Sequence, residues 1–137
     1  MKNEATGKLL LRLMVGWVFL SEGIQKFLYP NALGVGRFIK IGIPWPHVLA
    51  PLAGATEIVC GALLLLGLLG RLATLPLFVV ILGAIVTTKI PMLTRQGFWS
   101  TMHEARTDFC MLLGLLAILC LGVGEYALGA RRACHSE

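Results

Sequence analysis

The sequence predicts an all-α integral membrane protein, a four-helix bundle that crosses the bilayer four times. Of the 137 residues, 57% are hydrophobic and 14% are charged, and the mean hydropathy of +0.82 is well above that of a soluble domain. The apolar residues also fall into four runs, each close to the roughly 20 residues that a helix needs to cross the hydrocarbon. Three of these runs carry a carboxylate, which is the most informative feature of the chain.

The four runs are predicted to form one domain over residues 1–137, because no linker-like segment or repeat divides the chain. The first run resembles a cleaved signal peptide, but Arg12, Glu22 and Lys26 interrupt it and no A-x-A-like site follows, so we interpret it as a retained span. The predicted spans run from about Lys8 to Leu28, Val48 to Leu69, Leu72 to Ile90 and Ala105 to Leu128.

The connections between the spans differ in character. Residues 29–47 and 91–104 form two long loops that hold Trp45 and Trp99, and Gly70-Arg71 forms a tight turn. The two long loops lie on the same side of the membrane, because two spans separate them, and their aromatic residues suit the bilayer interface. The tight turn and both termini lie on the opposite side.

Glu22, Glu57 and Asp108 lie where a lipid-facing helix should carry no charge. A charge at this depth costs several kcal/mol unless it is paired or hydrated. These three carboxylates should therefore serve in helix packing, in chemistry, or in both. Together with Lys26, Lys89 and Arg106, they all fall in the half of the bundle toward the two long loops. The sequence therefore predicts a polar cluster in one leaflet.

Local spacing refines this prediction. Glu22 and Lys26 are one turn apart, which permits an ion pair within the first span. Glu57 shares a helix face with Ala53 and Gly61, and small residues beside a carboxylate favour a close helix contact, so Glu57 should point inward. We expect the first, second and fourth spans to surround the cluster and the third to stay outside it, because the third has no ionisable residue before its final turn.

The charged and glycine residues along the chain form a set that is similar to that of a known family. They are Leu11-Arg12-Leu13, Gly16, Phe19, Glu22-Gly23 and Lys26; Gly42-Ile43-Pro44; Glu57, Gly61 and the turn Gly67-Leu68-Leu69-Gly70-Arg71-Leu72-Ala73; and Phe98-Trp99 with His103-Glu104-Ala105-Arg106-Thr107-Asp108. This set resembles the DoxX family of small four-helix membrane proteins. The resemblance implies a membrane subunit of a quinone-linked oxidoreductase system, related to DoxD-type subunits of thiosulfate:quinone oxidoreductase, and it carries over no catalytic role.

The polar cluster has two interpretations. As a ligand or proton site, it would offer donors and acceptors to a quinone head group, and a desolvated carboxylate could relay the proton. As a structural network, the same charges would fix helix register in a non-catalytic binding or assembly protein. The candidate ligand or proton residues are Glu22, Lys26, Glu57, Arg106 and Asp108, with Arg12, His103 and Glu104 as secondary candidates.

A metal site is not predicted. His103, Glu104 and Asp108 could be drawn as ligands, but the Glu-x-x-His spacing of di-metal bundles is absent and Arg106 would repel a cation. We interpret Glu104 as an acid in the first turn of the fourth span, favoured by the helix dipole, and His103 as an interfacial residue. Haem ligation by His47 and His103 is also disfavoured, because two histidines near the ends of spans are common in proteins that bind no haem.

The cysteines and the remaining motifs carry little chemistry. Cys60, Cys110 and Cys120 fall inside spans and are interpreted as small hydrophobic residues, Cys134 lies in the tail, and no C-x-x-C pair supports thiol exchange or zinc binding. The chain has no phosphate-binding loop, nucleophile elbow or dinucleotide fingerprint. A transporter is disfavoured, because no broken helix or inverted repeat is evident.

Partners and location follow from the same observations. The net charge of +5 is spread over both faces, which argues against nucleic acid and suits anionic lipid. The sequence shows no cofactor of its own, and quinone is the one that the resemblance implies. We expect membrane lipids, quinone and a soluble or membrane oxidoreductase as partners, in a bacterial inner (plasma) membrane, and leave a homo-oligomer open.

Orientation gives a testable prediction. The positive-inside rule places both termini and the Arg71 turn in the cytoplasm, by five Lys and Arg residues against four. An engineered cysteine in that turn should resist an impermeant thiol reagent in intact cells, and one in the Trp45 loop should react. If the turn cysteine were labelled instead, the protein would have the opposite orientation, and the prediction of the polar cluster would not change. The five are Lys2, Lys8, Arg71, Arg131 and Arg132, and the four are Arg37, Lys40, Lys89 and Arg95.

Overall fold

The computed structural model describes residues 2–128, and in this range the chain is helical apart from short turns, with no strand. The all-α prediction is confirmed. The elements are α1 (Lys2–Leu28), α2 (Val35–Ile41), α3 (Pro46–Leu66), α4 (Gly70–Ala84), a π-helical segment (Ile85–Lys89), α5 (Ile90–Gln96) and α6 (Phe98–Leu121).

The two connections predicted as long loops are partly helical. The first contains α2, and the second, residues 91–104, is taken up by α5 and the start of α6. Pro91 lies directly after the π-helical segment, inside the continuous helical run Gly70–Gln96, so this proline does not end the helix. Only Gly97, with a φ of 86°, separates α5 from α6. The last long helix therefore begins seven residues before Ala105, where the span was predicted to start.

A tight turn joins α3 to α4, but it lies at residues 67–69, and the Gly70-Arg71 pair that was predicted to form it begins α4. Gly67 has a φ of 73° and donates its N–H to Leu64 O at 3.1 Å, while Leu68 donates to Leu63 O at 2.9 Å. This pair of bonds closes α3 in the Schellman pattern, in which glycine takes the left-handed position at no steric cost. The turn reverses the chain, so α3 and α4 run antiparallel.

Glycines bring α1 and α3 into close contact, and this is the most extensive helix pairing in the described chain. A Cβ on Gly23 would lie 2.7 Å from the carbonyl oxygen of Gly54, and one on Gly61 would lie 2.8 Å from the backbone nitrogen of Leu20. Because no side chain intervenes at these crossings, the two backbones approach to a distance that larger residues would prevent. Further contacts of α3 with α4, α4 with α6 and α6 with α1 close a ring around a shared core.

The core and the outer surface are both apolar. Fully buried side chains from all four long helical segments meet in the centre, among them Val15, Leu64, Leu77 and Leu115. Large apolar residues also cover the outward faces, a surface typical of a protein that contacts lipid rather than water. Pro46–Leu66 and Gly70–Gln96 are each long and apolar enough to cross a membrane. The outward-facing residues include Leu66, Leu72, Val79, Val86 and Phe109.

The α1–α3 contact predicts a glycine-specific effect on stability. Gly23→Ala should lower the free energy of unfolding by about 1–3 kcal/mol, since the added methyl meets backbone atoms of α3 that cannot move aside. Gly7→Ala in the same helix is the matched control, because its Cβ meets nothing within 4 Å, and it should be neutral or stabilising by up to about 1 kcal/mol. Thermal unfolding in detergent measures both, and equal effects would contradict the close contact.

Candidate functional site

A cavity of about 790 Å³ lies in the half of the molecule away from the α3–α4 turn. Residues of α1, α2, α3, α4, the π-helical segment and α6 line it, and much of the lining is apolar. This is the half in which the sequence predicted the charges to converge. The volume is in the range of small-molecule sites, which are mostly apolar with a few placed polar groups.

Lys26 and Glu57 form an ion pair in the wall of this cavity. Lys26 Nζ donates to Glu57 Oε2 at 2.7 Å, and the two side chains are only 15% and 5% exposed. The inward orientation predicted for Glu57 is confirmed. The sequence spacing permitted a pair of Lys26 with Glu22 within α1, but Lys26 pairs instead with Glu57 across the α1–α3 contact. The pair therefore links α1 to α3.

Lys89 and Asp108 form a second pair on the opposite wall. Lys89 Nζ lies 3.4 Å from Asp108 Oδ2 and donates to the backbone oxygen of Glu104 at 3.2 Å. Lys89 ends the π-helical segment, whose wider turn shifts the helix face that the following residues occupy. The expectation that the third span stays outside the cluster is therefore wrong. It contributes this cation and lines the cavity with residues of α4, and the error arose because the expectation considered only ionisable residues, whereas the α4 lining is apolar.

Three further charged residues line the cavity, and none of them has an ion-pair partner among residues 2–128. Glu22 and Glu104 come from α1 and α6, as the sequence suggested. Arg37 comes from α2 and was not a candidate, because α2 lies in a segment interpreted as a loop. With the two pairs, the lining holds four carboxylates and three cations, a formal net charge of −1 (3 minus 4).

Arg106 and His103 are not brought to the cavity. Both are exposed on α6, and Arg106 Nη1 lies 3.1 Å from His103 Nδ1. Glu104 also differs from its interpretation as a first-turn acid, because α6 begins at Phe98 and has no acid in its first turn. Its position in the second turn points its side chain into the cavity lining instead.

Arg12 lies at the other end of the molecule. It is 3% exposed and donates from Nη1 to Val123 O at 3.0 Å and from Nη2 to Tyr126 O at 3.5 Å. These carbonyls follow the end of α6, so Arg12 ties the start of the chain to the last helix. Ten residues, or roughly 15 Å of helix, separate it from Glu22, so the structure gives it a packing role remote from the cavity.

The cysteines differ in their surroundings. Cys60 is buried in the core, as expected of a small hydrophobic residue, whereas Cys110 and Cys120 are exposed on α6, and all three are free thiols. Cys134 lies outside the described residues. Among residues 2–128, no group of three or more His, Cys, Asp and Glu side chains is arranged to hold a metal ion.

Comparisons with known proteins agree with the resemblance drawn from the residues. The family model described as DoxX matches residues 7–90. A Mycobacterium tuberculosis protein named "Uncharacterized membrane protein Rv3486" is 54% identical over 127 residues, covering 88% of this chain and 78% of the relative. A Bacillus subtilis protein named "Putative oxidoreductase CatD" is 29% identical over 127 residues, covering 93% and 87%. No solved structure matches the chain.

We predict that replacing one residue of the buried ion pair destabilises the protein strongly, whereas replacing both destabilises it only slightly. Lys26→Met should lower the free energy of unfolding by about 3–5 kcal/mol, because it leaves the Glu57 carboxylate buried without a cation. Replacing both residues by methionine should recover most of that loss, since an apolar pair of similar volume has no charge to desolvate. Lys40→Met, on the exposed side of α2, is the control. A wild-type melting temperature for Lys26→Met would contradict the pairing.

Proposed function

The chain belongs to the DoxX family, and on that premise we propose that it is a four-span bundle of the bacterial inner membrane and the small membrane subunit of a quinone-linked oxidoreductase system. The cavity is its ligand or proton site. Both termini and the α3–α4 turn face the cytoplasm in this proposal, and the cavity lies in the outer leaflet.

The observation that carries the proposal is the buried Lys26–Glu57 pair in the wall of an otherwise largely apolar cavity. A quinone head has two carbonyl oxygens, which need donors, and an ammonium group keeps protons free for this purpose after pairing with one carboxylate oxygen. Reduction to the quinol takes up two electrons and two protons. Glu57 and Glu22 lie at the cavity, where each carboxylate can take up a proton that originates from water and pass it to the head group.

The electrons are assigned to a partner oxidoreductase, soluble or membrane-bound, that docks on the subunit. The name of the Bacillus subtilis relative supports an oxidoreductase context for the family. The exposed aromatic residues Trp45 and Trp99 lie at the cavity end of the molecule and suit the bilayer interface there. A second copy of the chain is the other neighbour proposed for the lipid-facing surface.

A non-catalytic binding or assembly protein is the second candidate function. The observation that favours it is that each ion pair joins two neighbouring helical segments, Lys26–Glu57 joining α1 to α3 and Lys89–Asp108 joining the π-helical segment to α6. Charges arranged in this way fix helix register whether or not a ligand is bound.

Quinone binding to the purified protein tests the proposal and separates the candidates. The wild type should retain quinone through purification in detergent. Glu57→Gln keeps the volume and a hydrogen-bonding group beside Lys26 but removes the anion that pairs with its ammonium group. It should therefore lose some thermal stability, while the quinone affinity of the molecules that stay folded falls about tenfold. Lost stability with unchanged binding per folded molecule would defeat the ligand-site proposal and leave the assembly function.

Two further variants locate the site. Glu22→Gln changes an exposed cavity residue that forms no ion pair within residues 2–128, so it should weaken quinone binding at unchanged thermal stability. Arg106→Gln is the matched control, because Arg106 lies outside the cavity lining. If Arg106→Gln abolished binding and Glu22→Gln had no effect, the cavity would not be the site.

A further inference from the structure

We propose that the cavity receives its quinone sideways from the bilayer, through a seam between α3 and α4, and that this seam holds the isoprenoid tail. The inference rests on the proposed function and specifies the ligand as a quinone with one long apolar chain. We define the α3–α4 seam by the residues that line the cavity along the facing edges of the two helices. They are Leu49, Leu52 and Thr56 of α3, and Pro76, Val79 and Gly83 of α4.

Both edges of the seam have helical spacing. The three residues on α3 are separated by three and four positions, and so are the three on α4, so each set forms one stripe along its helix. Since α3 and α4 are antiparallel neighbours, the two stripes run beside each other and form the walls of one groove. Except for the Thr56 hydroxyl, which donates to Leu52 O at 2.8 Å, the side chains are apolar.

The cavity reaches the outer surface along this seam. Leu52 is 58% exposed and Val79 is 72% exposed, although both line the cavity, and Pro76 and Gly83 are exposed as well. A residue that lines a cavity and is also this exposed lies at its rim. The rim here is apolar and faces outward from the helices, which is where the proposed bundle meets lipid.

The seam opens at the depth of the buried ion pair. Val79 lies nine residues after Gly70, and Glu57 lies nine residues before Leu66, so both are roughly 14 Å from the α3–α4 turn. A head group beside Glu57 and Lys26 can therefore extend a tail straight out between α3 and α4. No change of depth is needed for a quinone that enters from the hydrocarbon.

Gly83 leaves the seam open. A Cβ at Gly83 would meet nothing within 4 Å, in contrast to the glycines of the α1–α3 contact, so close packing does not require glycine there. Glycine inside a helix costs about 1 kcal/mol relative to alanine. Because Gly83 also lines the cavity, the open space beside it adjoins the cavity.

The other side of the cavity has a different character. There the exposed lining residues are Glu22 of α1 and Glu104 and Thr107 of α6, all of them polar. This side suits water and protons rather than an apolar chain. The asymmetry assigns the tail to the α3–α4 seam and the proton supply to the α1–α6 side.

Narrowing the seam tests the proposal. Gly83→Phe places a ring in the open space, and Leu82→Phe adds a ring at the adjacent exposed position outside the cavity lining, as the matched control. The probes are a menaquinone with a short isoprenoid tail and menadione, which has the same ring system without the tail. Both are titrated against the full chain in detergent.

The wild type should bind the tailed quinone more tightly than menadione. Gly83→Phe should lower the affinity for the tailed quinone about tenfold or more and change the affinity for menadione by less than about twofold, because only the tail loses buried apolar area. Leu82→Phe should bind both quinones with the affinity of the wild type. If Gly83→Phe lowered the affinity for both quinones equally, or changed neither affinity, the seam assignment would be overturned while the proposed function stands.

Two additional results separate the remaining explanations. If the wild type binds neither probe, the proposed quinone function itself fails. If Gly83→Phe loses only co-purifying phospholipid and keeps its affinity for the tailed quinone, the seam holds a lipid chain and the proposal is overturned. Val79→Trp, at the most exposed part of the rim, repeats the test with the same expected outcomes if Gly83→Phe does not fold.

Discussion

Lys26 and Glu57 meet where neither charge has more than slight access to solvent, and the rest of the arrangement depends on their contact. Removing either partner would strand the other in an apolar setting, at a cost that exceeds what the pair itself contributes. The 2.7 Å contact lies beside the place where α1 and α3 approach most closely, since a Cβ on Gly54 would lie 3.4 Å from Lys26 Cβ. Gly23 and Gly54 allow the close approach of the backbones, so the packing of α1 on α3 and the ion pair share one crossing.

The cavity follows from the way in which the charges are distributed. Each ion pair is formed between neighbouring segments, Lys26–Glu57 on the α1–α3 side and Lys89–Asp108 on the opposite wall, and neither pair crosses the space between them. That space therefore stays open, with one charged wall facing another. An arrangement built only for stability would be expected to close it, because an unfilled cavity forfeits packing contacts.

Sequence reasoning succeeded where the signal was periodic or topological. The inward direction of Glu57 followed from its helix face, and the convergence of the charges at one end followed from the number of crossings. It failed where the answer depended on local backbone geometry or on distant contacts. Lys89 ends a π-helical segment and pairs with Asp108, the early start of α6 changes the turn on which Glu104 lies, and Arg37 belongs to a short helix that its glycine-rich surroundings concealed. None of these leaves a pattern in hydropathy.

Arg12 has a consequence for biogenesis. Its acceptors are carbonyls that lie 111 and 114 residues further along the chain, beyond the end of α6. Arg12 on α1 thus carries a guanidinium group whose final partners are synthesised at least 111 residues later. Until they arrive, Arg12 has to stay with water or lipid head groups, so α1 reaches its final packing only after α6 has been translated.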